Sequence, residues 1–344
     1  MKERETFIER RDRKKEHINF FLKSSYNNDN YFEDIYLEHK ALPELNIDEI
    51  DTKCIFLGKY VDYPIIINAI TGGTEFSREI NKKLSKLAKE FNIPIAVGSQ
   101  TISLYDEKSR DSFKIVRDVL GEEGIVLANL NARASLDEVE TAIKMIDANG
   151  IQLHLNPAQE LTMVEGDRTF KGIRDNIKRI ITNIDKPVIV KEVGFGISSD
   201  VAKELYNIGV RHIDISGTGG TNFIEIEDLR NDEIDFDDIY NWGIPTALSL
   251  LQCREIKDDL NIIASGGIKN SQEIVKSLVL GATMVGISGE ILRHLLEDGY
   301  EVAYKYLKGT LYKTKMLMLL LGKKNIQELK TAPFKIKGKL KELS

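Results

Sequence analysis

His212-Ile-Asp-Ile-Ser-Gly-Thr-Gly-Gly-Thr221 is the stretch on which the reading of the fold turns. Its first five residues are β-branched enough for a buried strand, and the segment from Ser216 onward is too rich in glycine to continue a strand or start a helix. A short strand running into a glycine loop is half of a βα unit. Outward in both directions the same kind of run recurs, at 64–69, 94–98, 125–129, 151–155 and 187–191 before it and at 262–265 and 283–287 after it. Between these runs, helical periodicity appears at 78–90, 136–148, 170–183, 200–207 and 271–280, several with Ser or Asp where an N-cap belongs. Residues 244–256 read as another helix, and the acidic, turn-rich segment 223–242 before it reads as a mobile surface flap. Eight strands alternating with helices predict an α/β chain closed into a (β/α)8 TIM barrel with an N-terminal extension, in preference to an open doubly wound sheet.

Length fits that architecture. The 344 residues divide into an extension with a helix and a short strand (1–60), the barrel (61–310), and a C-terminal helix and basic tail packed on it (311–344). Hydrophobic residues at 42% supply a large core, and charged residues at 30% give no case for disorder. A net charge of −6 argues against broad binding to nucleic acid or an anionic membrane, while leaving room for a local phosphate site. Two cysteines far apart in sequence, Cys54 and Cys253, suit a reducing compartment. The first 17 residues are charged where a secretory signal would be apolar, and the late apolar run 316–321 is far too short for a bilayer. The expectation is a cytoplasmic protein with no membrane segment.

In a closed barrel the chemistry lies where strands end. Here those ends carry Thr71-Gly-Gly-Thr74, Ser99-Gln100, Asn129, Lys191, Ser216 through Thr221, Ser265-Gly-Gly267 and Ser288-Gly289. Glycines after strands six, seven and eight let backbone N–H groups approach an anion, which predicts a phosphate cup. Glycine is also what tight turns need, but three successive loops agree. Lys191 closes a run buried on both faces and must meet an anion, either a neighbouring carboxylate such as Asp214 or a cofactor. Strand four places Gln152, His154 and Asn156 on the inward face and then reaches Gln159 and Glu160. Glu160 has no second carboxylate or histidine at cage spacing, and a lone carboxylate suits Mg2+, which keeps waters and takes substrate phosphates. The cluster Arg13-Lys14-Lys15-Glu16-His17 reads from composition as a solvated helix end.

Together, Arg13-Lys-Lys-Glu-His17, Ala69-Ile-Thr-Gly-Gly-Thr74, Val97-Gly-Ser-Gln100, Asn129-Leu-Asn131, Gln152-Leu-His-Leu-Asn-Pro-Ala-Gln-Glu160, Val190-Lys-Glu-Val-Gly194, Asp214 through Thr221 and Ala264-Ser-Gly-Gly-Ile268 resemble the type 2 isopentenyl diphosphate isomerases, in the same order from about residue 10 to about 320. The resemblance implies interconversion of isopentenyl diphosphate and dimethylallyl diphosphate by protonation and deprotonation on reduced FMN, with Mg2+ required and NADPH as reductant. It implies that Arg13, Lys14, Ser99, Gln100, His154 and Gln159 hold the substrate, with His154 and Gln159 also serving catalysis, and that Glu160 binds Mg2+. FMN would rest on Ala69, Ile70, Thr71, Ser99, Asn129, Lys191, Ser216, Thr221, Gly266, Gly267, Ile268, Ser288 and Gly289. The assembly expected is a homotetramer or homooctamer. One departure stands out: the family pattern Gly-Ser-Gln-Arg reads Gly98-Ser-Gln-Thr101 here. Either Arg110 or another lysine substitutes, or the grip on diphosphate is weaker.

Two other enzyme classes share such a barrel. An α-hydroxy acid oxidase would carry His-x-x-Arg after strand six, and an inosine monophosphate dehydrogenase-like enzyme a cysteine there; the loop from Ser216 to Thr221 has neither. A barrel that only binds a phosphometabolite would have no reason for polar residues at nearly every strand end.

Overall fold

Which way each strand residue points explains both the closure of the barrel and the position of its site. The computed structural model describes residues 14, 16–24, 29–230 and 234–344. Its centre is a closed barrel of eight parallel strands: β1 (Ile65–Ile67), β2 (Ile95–Ala96), β3 (Val126–Asn131), β4 (Gly150–Leu155), β5 (Val188–Glu192), β6 (His212–Asp214), β7 (Asn261–Ala264) and β8 (Met284–Ile287). Each strand pairs with its neighbours in sequence, and β8 returns to β1 with Val285 opposite Ile65 and Ile287 opposite Ile67.

Outward side chains such as Ile65, Ile67, Val126, Ala128, Ile151, Leu153, Val188 and Val190 pack in the main core that runs beneath the helices. Inward ones build a second apolar cluster from Ile66, Leu127, Ile189, Ile263 and Met284, joined by Phe56 and Val61. These last two come from an antiparallel hairpin, Cys54–Phe56 with Lys59–Val61, which plugs the end of the barrel where strands begin. Side chains alternate with a period of two, so the next inward residue lies two positions on. There the barrel turns polar: Ile66 gives way to Asn68, Leu127 to Asn129, Ile189 to Lys191 and Ile263 to Ser265.

The helices start where side chains can satisfy their first N–H groups. Glu75–Glu90 begins at Thr74, whose side chain accepts from the Ser77 N–H, and Leu136–Met145 begins with a capping box of Ser135 and Glu138. Two expectations are corrected. The segment 223–242 is not a surface flap throughout: Phe223–Asp228 is helical, and Ile224 to Glu227 are buried. The signal was present in Asn222, whose side chain caps Ile224 N–H, ahead of apolar Phe223, Ile224 and Ile226. The division at 310/311 falls inside one 21-residue helix, Tyr300–Leu320, with Thr310 and Leu311 both buried, and the division at 60 splits the hairpin. Ile35–Leu37 also pairs antiparallel with Phe334–Ile336, tying extension to tail.

Among the described residues no helix is long and apolar enough to cross a membrane. Cys54 and Cys253 are free, and burial pushes both thiols up to about 12, so neither is a ready nucleophile at neutral pH.

Candidate functional site

A cavity of about 840 Å³ opens where the barrel strands end, and every barrel loop contributes to its wall. Of the residues singled out from sequence, Lys14, Ala69, Ile70, Thr71, Ser99, Asn129, His154, Gln159, Glu160, Lys191, Ser216, Thr221, Gly266, Gly267, Ile268, Ser288 and Gly289 all line it. Arg13 lies outside the described residues. Gln100 is a correction. It is fully buried behind the wall, its amide donating to Ala142 O at 3.0 Å and accepting from Asn129 N–H at 3.0 Å, so it braces β3 and has no face toward a substrate. Arg110 is another: its guanidinium donates to Ser103 O and Glu107, away from the cavity wall.

The polar tier above the apolar plug is one connected network. His154 Nδ1 lies 2.9 Å from Asn129 Oδ1, Asn129 Nδ2 donates to Gln152 Oε1 at 3.0 Å, and Gln152 Nε2 donates to Asn68 Oδ1 at 2.7 Å. Asn68 Nδ2 then donates to Asp214 Oδ2 at 2.6 Å, and the Lys191 ammonium sits 3.1 Å from the same carboxylate. Ser265 Oγ donates to Asp214 Oδ1, and Lys191 also donates to Glu192 O at 2.9 Å. Lys191 therefore does both things its position allows: it pairs with Asp214 and it lines the cavity. A buried carboxylate and ammonium are costly alone, and here each has several partners. The network also fixes a tautomer. Asn129 spends its N–H2 on Gln152, so its oxygen takes Nδ1–H of His154 and leaves Nε2 unprotonated. Burial, then the charges of Lys191 and Lys14, push the imidazole down to about 4, so it is neutral at physiological pH.

Opposite this floor lies the glycine cup. Gly266 and Gly267 have φ of +108° and +70°, and a Cβ on Gly267 would sit 2.0 Å from Gly219 O. Only glycine fits there, and the bare backbone leaves N–H groups open to an anion. Ser216 is the non-glycine exception, at φ 35°, with Gly194 and Gly196 N–H both donating to its carbonyl. Such a sparsely populated conformation at a strand end marks a site where surrounding structure enforces the backbone path.

A second group of charges closes the mouth. Gln159, in the short helix Pro157–Thr162 after β4, donates to Glu227 Oε1 at 3.0 Å. Glu227 also meets His17 Nε2 at 2.9 Å and pairs with Arg230, which reaches Glu16 at 3.0 Å and Glu165 at 3.3 Å. Burial would raise the Glu227 carboxyl, but His17, Arg230 and Gln159 outweigh it and hold it below the usual range. His17, Ile18 and Phe21 of the helical segment 16–23, with Ser24 just after it, thereby become cavity wall, which replaces the reading of this charge cluster as a solvated helix end. The sequence pattern does not single out Glu227, which lies in the segment that reads as a flap. Glu160 is oriented by Asn156 Nδ2 at 3.0 Å and Asp167 N–H at 2.8 Å. Among the described residues no cluster of three His, Cys, Asp or Glu could cage a metal, so any ion at Glu160 must draw ligands from water and substrate.

Residues 127–335 match the family model of the FMN-dependent dehydrogenases. The isopentenyl-diphosphate delta-isomerase of Staphylococcus haemolyticus is 39% identical over 333 residues, 97% of this chain and 95% of that one. Its counterpart in Moorella thermoacetica is 42% identical over 338 residues, 98% and 96% of the two chains. Among solved structures, a flavocytochrome b2 superposes with a TM-score of 0.70 at 18% identity over 92% of this chain and 80% of that one, a likeness of fold.

Proposed function

Because the chain belongs to the FMN-dependent, type 2 isopentenyl-diphosphate delta-isomerases, which interconvert isopentenyl and dimethylallyl diphosphate, we propose how its own residues divide that work. The observation that carries the reading is the network from His154 to Lys191, which gives one cavity a polar floor beside a glycine cup and beneath a mouth of paired charges.

FMN fits this cavity on two counts: a cup that any Cβ at Gly266 or Gly267 would fill, and a buried lysine at the floor whose position suits the electron-rich edge of a flavin. The cup, with Thr221, Ser288 and Gly289, would take the phosphate, while Ala69, Ile70, Thr71, Ser99, Asn129, Ser216 and Ile268 would line the rest. Moving a double bond by one position needs a proton added at one carbon and another removed two carbons away, through tertiary carbocation character. When bound and reduced at the expense of NADPH, FMN supplies a proton donor and acceptor and an electron-rich face for that cation.

The chain does the rest. Lys14 and Ser99, with Arg13 and His154, would hold the diphosphate on the β2–β4 side, and Glu160 would anchor Mg2+ whose remaining ligands are waters and diphosphate oxygens. Gln159 is too weak a base to take a proton outright; fixed by Glu227, it would orient the reacting carbons or relay a proton. Ile18 and Phe21 exclude water, which strengthens every charge interaction inside.

The test is anaerobic incubation of the purified protein with FMN, NADPH, Mg2+ and isopentenyl diphosphate, with dimethylallyl diphosphate as the expected product. Product should vanish when FMN or reductant is withheld, and chelation of Mg2+ should abolish it. Turnover that persists without FMN would overturn the proposal. Sedimentation of the holoenzyme would test the expected homotetramer or homooctamer.

A further inference from the structure

We propose that Arg133 supplies the guanidinium contact to the substrate's diphosphate in this chain, and that Asp167 competes with the substrate for it; the proposal rests on the isomerase reading above. The cavity has two anion-seeking ends. The glycine cup lies after β6 to β8, so a second phosphate-bearing ligand must place its charge on the β2–β4 arc, where Lys14, Ser99, His154 and Glu160 stand. At Thr101, on the same arc, this chain offers a hydroxyl 3.1 Å from Ser99 Oγ and no charge. Among the described residues two arginines line the cavity, and they stand at opposite ends. Arg293 follows β8, over the ring of Phe21, whereas Arg133 follows β3 in the loop next to Thr101.

The Arg133 turn is built to hold a side chain in place. Arg133 N–H donates to Asn131 Oδ1 at 3.0 Å, and Asn176 Nδ2 donates to the carbonyls of both flanking residues, Ala132 at 2.8 Å and Ala134 at 2.9 Å. Backbone fixed on both sides presents the guanidinium at small entropic cost. Its present counter-ion is easily exchanged. Arg133 Nη1 meets Asp167 Oδ2 at 2.5 Å, Nη2 donates to Thr169 O and the guanidinium lies 5.2 Å from the centre of the Phe170 ring, but all three partners belong to one loop and Asp167 is 59% exposed, where such ion pairs are weak. A diphosphate carries more charge and accepts two parallel N–H bonds from a guanidinium, a geometry a lysine cannot copy. Asp167 follows Glu160 in the same loop and donates its own N–H to Glu160 Oε2, so substrate capture by Arg133 and the setting of Glu160 are coupled through one segment.

The holoenzyme decides the matter by steady-state kinetics with isopentenyl diphosphate. Arg133→Ala is expected to raise KM about tenfold or more, the loss of one charge-assisted contact, with kcat and FMN content little changed. Asp167→Asn is expected to leave KM unchanged or lower it, because it frees the guanidinium. Thr101→Arg in the Arg133→Ala background should restore KM. If Arg133 merely fastens the loop, both Arg133→Ala and Asp167→Asn raise KM alike, and that result overturns the proposal, as does an unchanged KM in Arg133→Ala. A wild-type protein without turnover would instead strike at the isomerase reading. Titration of the FMN-loaded proteins with inorganic diphosphate then tests Arg133 separately, with weaker binding expected in Arg133→Ala and equal binding overturning it.

Discussion

Gln159 and Glu227 meet across the barrel mouth, the amide Nε2 of one donating to Oε1 of the other at 3.0 Å. The amide oxygen of Gln159 meanwhile accepts from Asn156 Nδ2 at 3.2 Å, so the amide cannot flip without losing both bonds. Glu227 is thus a positioning residue: it sets which end of Gln159 faces the cavity, and it does so as a carboxylate.

Replacing Glu227 by Gln keeps the shape and removes the carboxylate that meets His17 and is one of three paired with Arg230. The expected outcome is a fall in kcat of about a hundredfold, with FMN retained, since the carboxylate acts by orienting Gln159 in the reacting complex and stands apart from the glycine cup. Glu227→Ala should go further and cost about 1–3 kcal/mol of stability by leaving Gln159 and His17 without their partner, while Arg230 keeps Glu16 and Glu165. Steady-state rates beside urea melts would separate the two effects; an unaltered kcat in Glu227→Gln would remove it from the mechanism.

Lys191 and Asp214 make a second pair with separable duties. Lys191→Met leaves a carboxylate that is 0% exposed without its cation, for an expected loss of about 3–5 kcal/mol even in the flavin-free protein. Adding Asp214→Asn should return most of that stability, since Asn68 and Ser265 can still bond to the amide, while flavin affinity stays at least tenfold weaker. Thermal melts and flavin retention on gel filtration read the two quantities. Full flavin retention by the double variant would mean that Lys191 is structural alone.

Gly267→Ala probes the cup. The new Cβ would stand 2.0 Å from Gly219 O at φ +70°, so two loops must separate. The variant is expected to fold, because these loops lie at the barrel rim, and to lose FMN affinity by at least tenfold in a fluorescence titration. Equal affinity would place the phosphate elsewhere.

Much of this was legible in the chain because a parallel strand announces itself as a β-branched run, and a barrel site must lie where such runs end. The polar tier could be read residue by residue: Asn129, His154 and Lys191 each sit at the end of an apolar run, and all three line the cavity. Gln100 could not be placed that way. β2 ends at Ala96, an inward residue, so a period of two carried onward would aim Gln100 into the barrel; it stands instead at the N-cap of the helix Thr101–Tyr105, where the chain has turned and its amide reaches behind the wall. Glu227 and His17 escaped for a different reason. They are about 210 residues apart in sequence, and only the closed mouth brings them to 2.9 Å. Local pattern carries which face a residue takes, and long-range ion pairs leave no trace in it.

A half-buried imidazole and a buried carboxyl with opposite shifts make the last prediction, on stability against pH. Burial lowers His154 from 6.5 to about 4, so the fold prefers the neutral ring and its contribution grows as pH rises from about 4 to 6.5. Burial raises Glu192 from 4.5 to about 7, although the N–H groups of Gly194, Phe195 and Gly196 converge on its Oε2. The fold prefers this carboxyl protonated, so its contribution is complete below about 4.5 and is lost as pH climbs to about 7. Across pH 4.5 to 6.5 the two slopes oppose each other and nearly cancel in the wild type. His154→Gln removes the rising one, so its stability relative to wild type should decline from pH 4.5 to 6.5; Glu192→Gln removes the falling one and should show the reverse. Urea denaturation of the flavin-free proteins at half-unit pH steps measures both differences. Parallel curves for His154→Gln and wild type would mean that the ring titrates normally in the folded state and that burial, with Lys191 and Lys14 nearby, does not hold it neutral.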